Sequence, residues 1–162
     1  MSWKIIYGSP NEDTWSRYLR NPFHSSQLDL WWRLATENIH WERQLSSRGC
    51  AWFVSEGCSC KYKYSGTTWQ PTVWPDWLQS ITNAVMRIVG PTARIKTKPN
   101  SCNVNLYANG LDSVGWHSDD EKLFQTKTTK SLIVSLSLGA TRLFQIKHNK
   151  KYNIRVLDFS VY

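Results

Sequence analysis

The clearest hydrophobic periodicity lies mid-chain. In "TTWQPTVWPDWLQSITNAVMRIVG", Trp77, Leu78, Ile81, Val85 and Ile88 recur at the spacing of one helix face. Pro71 and Pro75 mark a loop, Pro75 suits a first helical turn, and Gly90-Pro91 predicts the stop. Towards the N-terminus, "SPNEDTWSRYLRN" offers Ser9, Asn11 and Asp13 as caps. Trp15, Tyr18 and Leu19 follow as an i, i+3, i+4 stripe, which predicts a helix. "DLWWRLATENIHWERQL" fits either a second helix or an arm of strand and loop. "GCAWFVSEGCSCKYKYSG" reads as two short strands around Gly57, a hairpin closed by Gly66. Within it Tyr62 and Tyr64 alternate with Lys61 and Lys63, so one face is aromatic and the other cationic.

From Asn100 the texture turns to strand. "SCNVNLYANG" alternates and ends in the turn signal Asn109-Gly110. "SLIVSLSLGA" predicts a nearly unbroken strand ending at Gly139. Leu143–Lys147 and Tyr152–Leu157 predict a hairpin over Asn149-Lys150. The fold class expected is α+β, helices first and an antiparallel sheet after them, and 162 residues suit one domain.

Composition adds a partner. The net charge is +8, spread over several short basic groups such as Lys61/Lys63 and Lys147/Lys150/Lys151. That balance favours an anionic partner, nucleic acid among the candidates. Ten tryptophans, seven tyrosines and five phenylalanines are many for this length; extra core and surface rings explain most of them, and aromatic rings also stack on bases. Cys50, Cys58, Cys60 and Cys102 lack zinc-finger spacing. The N-terminus carries no secretory pattern and no segment reads as membrane-spanning. An intracellular protein with free thiols is expected, in nucleus or cytoplasm, as a monomer without a membrane partner.

The chemistry concentrates in "VGWHSDDE". In an extended segment His117 and Asp119 point to the same face. An imidazole beside a carboxylate supplies two ligands of the 2-His-1-carboxylate triad that holds non-haem Fe(II). His-x-Asp alone is weak, because the same step serves as an ordinary polar turn.

Its surroundings are specific. Asn105-x-Tyr107, then Asp112, then His117-x-Asp119 with Asp120 and Glu121, then Ser137 to Arg142 as Ser-Leu-Gly-Ala-x-Arg follow in order. This series, within roughly residues 48–157, resembles the AlkB family of Fe(II)/2-oxoglutarate-dependent dioxygenases. It is most similar to the eukaryotic homologues that repair alkylated DNA or RNA. The resemblance implies a double-stranded β-helix, or jelly roll. Residues 1–48 would be a helical N-terminal extension, 49–66 a nucleotide-recognition hairpin and 100–162 a partial jelly roll. His117 and Asp119 would ligate iron. Asn105 and Tyr107 would hydrogen-bond the co-substrate 2-oxoglutarate. Trp52, Tyr62 and Tyr64 would hold a flipped-out base and its phosphate, with a core role open for Trp52. Asp120 and Glu121 would orient substrate or lie in a solvated turn; Arg142 is left without a role. The family's reaction splits O₂, decarboxylates 2-oxoglutarate to succinate and oxidises the N-alkyl group, whose carbon leaves as an aldehyde.

One part of the family pattern is not found. A second histidine and an arginine clamp for 2-oxoglutarate lie further on in the family. The only later histidine here, His148, reads as a surface residue on a lysine-rich tip. The expectation is therefore little or no turnover by the 162-residue chain alone. A truncated gene model or isoform, an inactive nucleic-acid-binding remnant, and completion by another chain remain as alternatives.

Overall fold

The computed structural model describes residues 2–8, 15–20, 22–43, 48–93, 98–119, 121–124, 132–147 and 154–159, the last as backbone. The chain divides into two compact units, residues 1–37 with 135–162, and residues 38–134.

The first unit holds two hairpins and a helix. β1 (Lys4–Tyr7) pairs antiparallel with β2 (Ser16–Tyr18), with an irregularity between Ile5 and Tyr7. The helix expected over Trp15–Leu19 is thus replaced by a strand. Three apolar positions cannot meet the cost of helix nucleation when a β-branched neighbour strand offers a ladder. The proposed caps Ser9, Asn11 and Asp13 lie outside the described residues. The N-terminal extension is consequently mixed rather than helical.

The ambiguous "DLWW" segment is helical, as α1 (Ser25–Asn38). The His24 carbonyl accepts from the amides of Gln27 and Leu28, which closes the first turn. Phe23 sits edge-on to the buried Trp31, ring centroids 4.7 Å apart, and fixes the chain's entry. β8 (Arg142–Lys147) and β9 (Ile154–Phe159) form the hairpin expected there, with Arg142 opposite Phe159 and Lys147 opposite Ile154. Its turn, with Asn149, Lys150 and His148, lies outside the described residues.

"SLIVSLSLGA" is not a strand over the described residues 132–140. Leu132, Ile133 and Leu136 are exposed. Apolar composition gives β propensity, but a strand exists only where a partner completes its ladder. Gly139 adopts φ +82° directly under the Trp32 ring, and a Cβ there would lie 3.0 Å from Trp32 Cζ3.

The second unit is built on β3 (Gly49–Val54), all six residues of which are buried. β3 is the centre of a three-stranded mixed sheet, antiparallel to β7 (Ser101–Leu106) and parallel to the two-residue β6 (Thr72–Val73). β4 (Tyr62–Tyr64) pairs with β5 (Thr67–Trp69) across a turn at Ser65-Gly66, both at positive φ. The hairpin expected around Gly57 is therefore displaced. Both strands exist, but β4 turns back on β5, and β3 is saturated on each edge by β6 and β7. The expected all-antiparallel sheet is corrected with it.

α2 (Asp76–Ala93) buries Leu78 and Ile81 of the expected stripe and Ala84 beside them, while Trp77, Val85 and Ile88 are half-buried. It begins where the Pro75 carbonyl accepts from Gln79 N. It passes through Gly90-Pro91 instead of stopping there. Proline disfavours helical geometry in its predecessor by crowding that residue's Cβ, and Gly90 has none.

Gly139→Ala combines a left-handed backbone with a blocked Cβ. It is expected to cost about 1–3 kcal/mol in urea denaturation, whereas Gly110→Ala, which meets open space, stays within about 0.5 kcal/mol.

Candidate active site

The site begins on one face of β3. Cys50, Trp52 and Val54 form a buried cluster with Tyr62 and Trp69. Tyr62 lies in the middle, stacked 5.0 Å from Trp52 and 5.4 Å from Trp69, with Tyr64 parallel to it at 6.4 Å. Alternation along β4 does this: Tyr62 faces inward while Lys61 and Lys63 are exposed. The Tyr62 hydroxyl donates to Glu121 Oε1 at 3.1 Å. Glu121 Oε2 is buried and has no hydrogen-bond partner among the described residues. Burial first, and the Glu121 carboxylate second, push the Tyr62 phenol well above its ordinary value.

A polar bridge crosses from this cluster to β7. Cys50 stands opposite Asn105 in the ladder, and its thiol donates to Asn105 Oδ1 at 3.4 Å. That contact leaves the Asn105 amide nitrogen as a donor suited to a carboxylate. Arg48, 6% exposed, donates from Nη1 to the Tyr107 hydroxyl at 3.1 Å. The same guanidinium sits 5.8 Å above the Tyr64 ring. Tyr64 in turn meets the His117 imidazole edge-on at 5.5 Å.

The turn after β7 sets the approach to His117. Asp112, itself buried, accepts from Ala108 N at 2.7 Å and faces Arg43 Nη1 at 3.7 Å. Asn109 Oδ1 accepts from Leu111 N, so the Asn109-Gly110 turn is held from both ends. Beyond it, His117 Nδ1 lies 2.7 Å from the Gly115 carbonyl. A carbonyl can only accept, so Nδ1 is the donor there, and Nε2 is the nitrogen left to ligate a metal in the neutral ring. Nε2 is 3.5 Å from Asp119 Oδ1, both side chains partly exposed. The His-x-Asp step thus converges two donors of the kind Fe(II) prefers, with the imidazole already oriented. They fit as one arm of an iron site; among the described residues no group of three or more His, Cys, Asp or Glu side chains converges.

The residues marked by sequence therefore meet in one neighbourhood. Asn105, Tyr107, Tyr62, Tyr64, Glu121, His117 and Asp119 are connected directly or through one neighbour. Asp120 lies outside the described residues. Trp52 is enclosed at 3% exposure with its indole N–H given to the Cys60 carbonyl at 2.7 Å, so it forms the floor under Tyr62. Arg142 belongs to the other unit. Sequence reasoning missed Arg48 and Cys50. An arginine immediately before a wholly apolar strand was the available signal, since a charge entering a core needs partners.

The chain belongs to the 2OG-Fe(II) oxygenase superfamily, whose model matches residues 12–157. Within that class its similarity is to AlkB homologues. It is 39% identical over 87 residues to the human alpha-ketoglutarate-dependent dioxygenase alkB homolog 3, covering 53% of this chain and 27% of the relative. It is 34% identical over 87 residues to the mouse DNA oxidative demethylase ALKBH2, covering 54% and 33%. It is 31% identical over 123 residues to ALKBH2 of Arabidopsis thaliana, covering 74% and 36%. The matched stretch thus spans only about a quarter to a third of these relatives' length.

Tyr62→Phe removes the donor to Glu121 Oε1 and leaves this half-buried carboxylate without a partner among the described residues, so a loss of about 1–3 kcal/mol is expected in urea denaturation. The pH dependence follows from the raised phenol. Above about pH 10 the unfolded chain releases the Tyr62 proton and the native chain keeps it, so stability falls as pH rises. Urea midpoints from about pH 9 to about pH 11 should therefore drop less steeply in Tyr62→Phe than in the parent.

Proposed function

We propose that this chain carries the site of an Fe(II)/2-oxoglutarate-dependent dioxygenase that removes alkyl groups oxidatively from DNA or RNA bases. The finer fold in this reading is a jelly roll with the site at its open end. One observation carries the proposal: Tyr107, Arg48, Tyr64 and His117 form a continuous series of contacts that ends at the His117–Asp119 donor pair. The oxygenase match over the same stretch and the demethylase names of the relatives support it.

Iron held by His117 Nε2 and Asp119 would supply O₂ activation. The rest of the chemistry belongs to the chain. The Gly115 carbonyl keeps the His117 proton on Nδ1 and the ring turned towards Asp119. Asn105 and Tyr107 hydrogen-bond a carboxylate of 2-oxoglutarate, and Arg48 fixes the Tyr107 hydroxyl while adding positive charge to that side. Tyr64 offers a partly exposed ring for stacking, with Tyr62 and Trp52 holding it from beneath. Glu121, with an unpaired buried oxygen, and Asp120 orient the base. Lys61 and Lys63 meet the phosphates. The protein is read as an intracellular monomer of nucleus or cytoplasm, in keeping with its four free cysteines.

A second reading rests on the exposed Lys63 of β4, Lys61 just before it, and the +8 charge. In it the chain binds nucleic acid without chemistry. Two measurements separate the readings. Once a third ligand completes the His117–Asp119 pair, the dioxygenase releases succinate from 2-oxoglutarate in the presence of Fe(II) and a methylated oligonucleotide. His117→Ala lowers that rate by more than about 100-fold, since outer partners of a metal ligand already cost 10- to 100-fold. No succinate above blank would overturn the enzymatic reading for this chain. Oligonucleotide binding that weakens with salt and survives His117→Ala would then leave the binding module.

A further inference from the structure

The cysteine pair Cys58-Ser59-Cys60 has no part in the site's proposed chemistry, yet its geometry is specific. The two sulfurs are 2.7 Å apart, closer than non-bonded sulfurs rest. A closing of roughly 0.6 Å reaches the covalent length of about 2.05 Å. The backbone sets this approach. Cys58 N donates to the Ser55 carbonyl at 3.1 Å, Gly57 turns the chain at φ +82°, and Cys60 N points at Cys58 Sγ at 3.4 Å. Cys60 is exposed and Cys58 partly so. The other two thiols differ. Cys50 is buried and bonded to Asn105, and packing around the sulfur pushes the Cys102 thiol up to about 11.

We propose that Cys58 and Cys60 are a reversible dithiol–disulfide pair, oxidised by a small-molecule disulfide of the glutathione class. The Cys58 thiolate attacks one sulfur of the small disulfide, forms a mixed disulfide and expels one small thiolate. The Cys60 thiolate then attacks Cys58 Sγ, closes the ring and expels the second. Two electrons pass from the protein thiols to the small disulfide, and the two thiol protons end on the two released small thiols. The order of attack has support in the thiols themselves. The Cys60 thiol, and then the Cys60 amide, hydrogen-bond the Cys58 sulfur and hold it below the usual thiol range, while the same contact raises Cys60.

The pair is wired to the aromatic cluster. The Cys60 carbonyl accepts the Trp52 indole proton, and Trp52 is the ring stacked on Tyr62. Ring closure re-sets the backbone at Cys60 and with it that acceptor. The proposal stands apart from the dioxygenase reading, because its test involves neither iron nor 2-oxoglutarate.

The chain is incubated with oxidised glutathione, quenched and alkylated, and its peptides are weighed. The expected product is a Cys58–Cys60 peptide lighter by two hydrogens and closed to alkylation, restored by dithiothreitol. Cys60→Ser should stop at a glutathione adduct on Cys58. Recovery of both cysteines as alkylatable thiols, or as two separate glutathione adducts, would overturn the pair. For the coupling, one of the ten tryptophan indole N–H resonances should shift on oxidation, and none should shift in the Cys58→Ser/Cys60→Ser double variant. An indole spectrum unchanged by oxidation of the parent would remove the link to Trp52.

Discussion

All six residues of β3 are buried, so every side chain the strand projects must find its neighbour inside the protein. The strand's edges are taken by β6 and β7, and its face towards the site is filled by Cys50, Trp52 and Val54. Two of these order something further out. Cys50 fixes the Asn105 amide, and Trp52 fixes both the Tyr62 ring and the Cys60 carbonyl. The site is thus the polar margin of a packed core, and its precision is inherited from packing.

That margin holds more charge than a core tolerates without compensation. Arg48 is admitted because Tyr107 accepts from it and Tyr64 lies under it. Asp112 is admitted because a backbone amide and Arg43 answer it. Among the described residues Glu121 is only half answered, by Tyr62 through one oxygen. A half-satisfied buried carboxylate is costly to stability, and a protein keeps such a group where something else benefits from it. Here it stands beside the ring cluster that the proposed function gives to a base.

Much of this was legible in the chain. Leu78 and Ile81 of the helical stripe and a strand over "SCNVNL" appear where local periodicity placed them, although burial along β7 does not alternate. Local signals succeed there because each element's own pattern agrees with its surroundings. The misreadings share one cause. Ser16–Tyr18 and β4 chose partners that sequence spacing does not reveal, and "SLIVSLSL" lacks a partner among the described residues. Strand pairing is decided by tertiary context, so turn residues such as Gly57 can mark a bend without marking which strands meet across it. Gly90-Pro91 failed as a stop for a local reason instead, the missing Cβ before proline.

The connection from Tyr107 through Arg48 and Tyr64 to His117 has a further consequence. The residues assigned to the co-substrate, the base and the metal are not separate clusters but successive members of one contact series. Members of such a series do not contribute additively, because removing one releases the next from its orientation. Arg48 is the buried member that touches both Tyr107 and Tyr64, so a neutral replacement would remove both contacts at once. A residue with no catalytic motif around it therefore couples the two halves of the site. The reason lies in position, since Arg48 enters the core one residue ahead of β3.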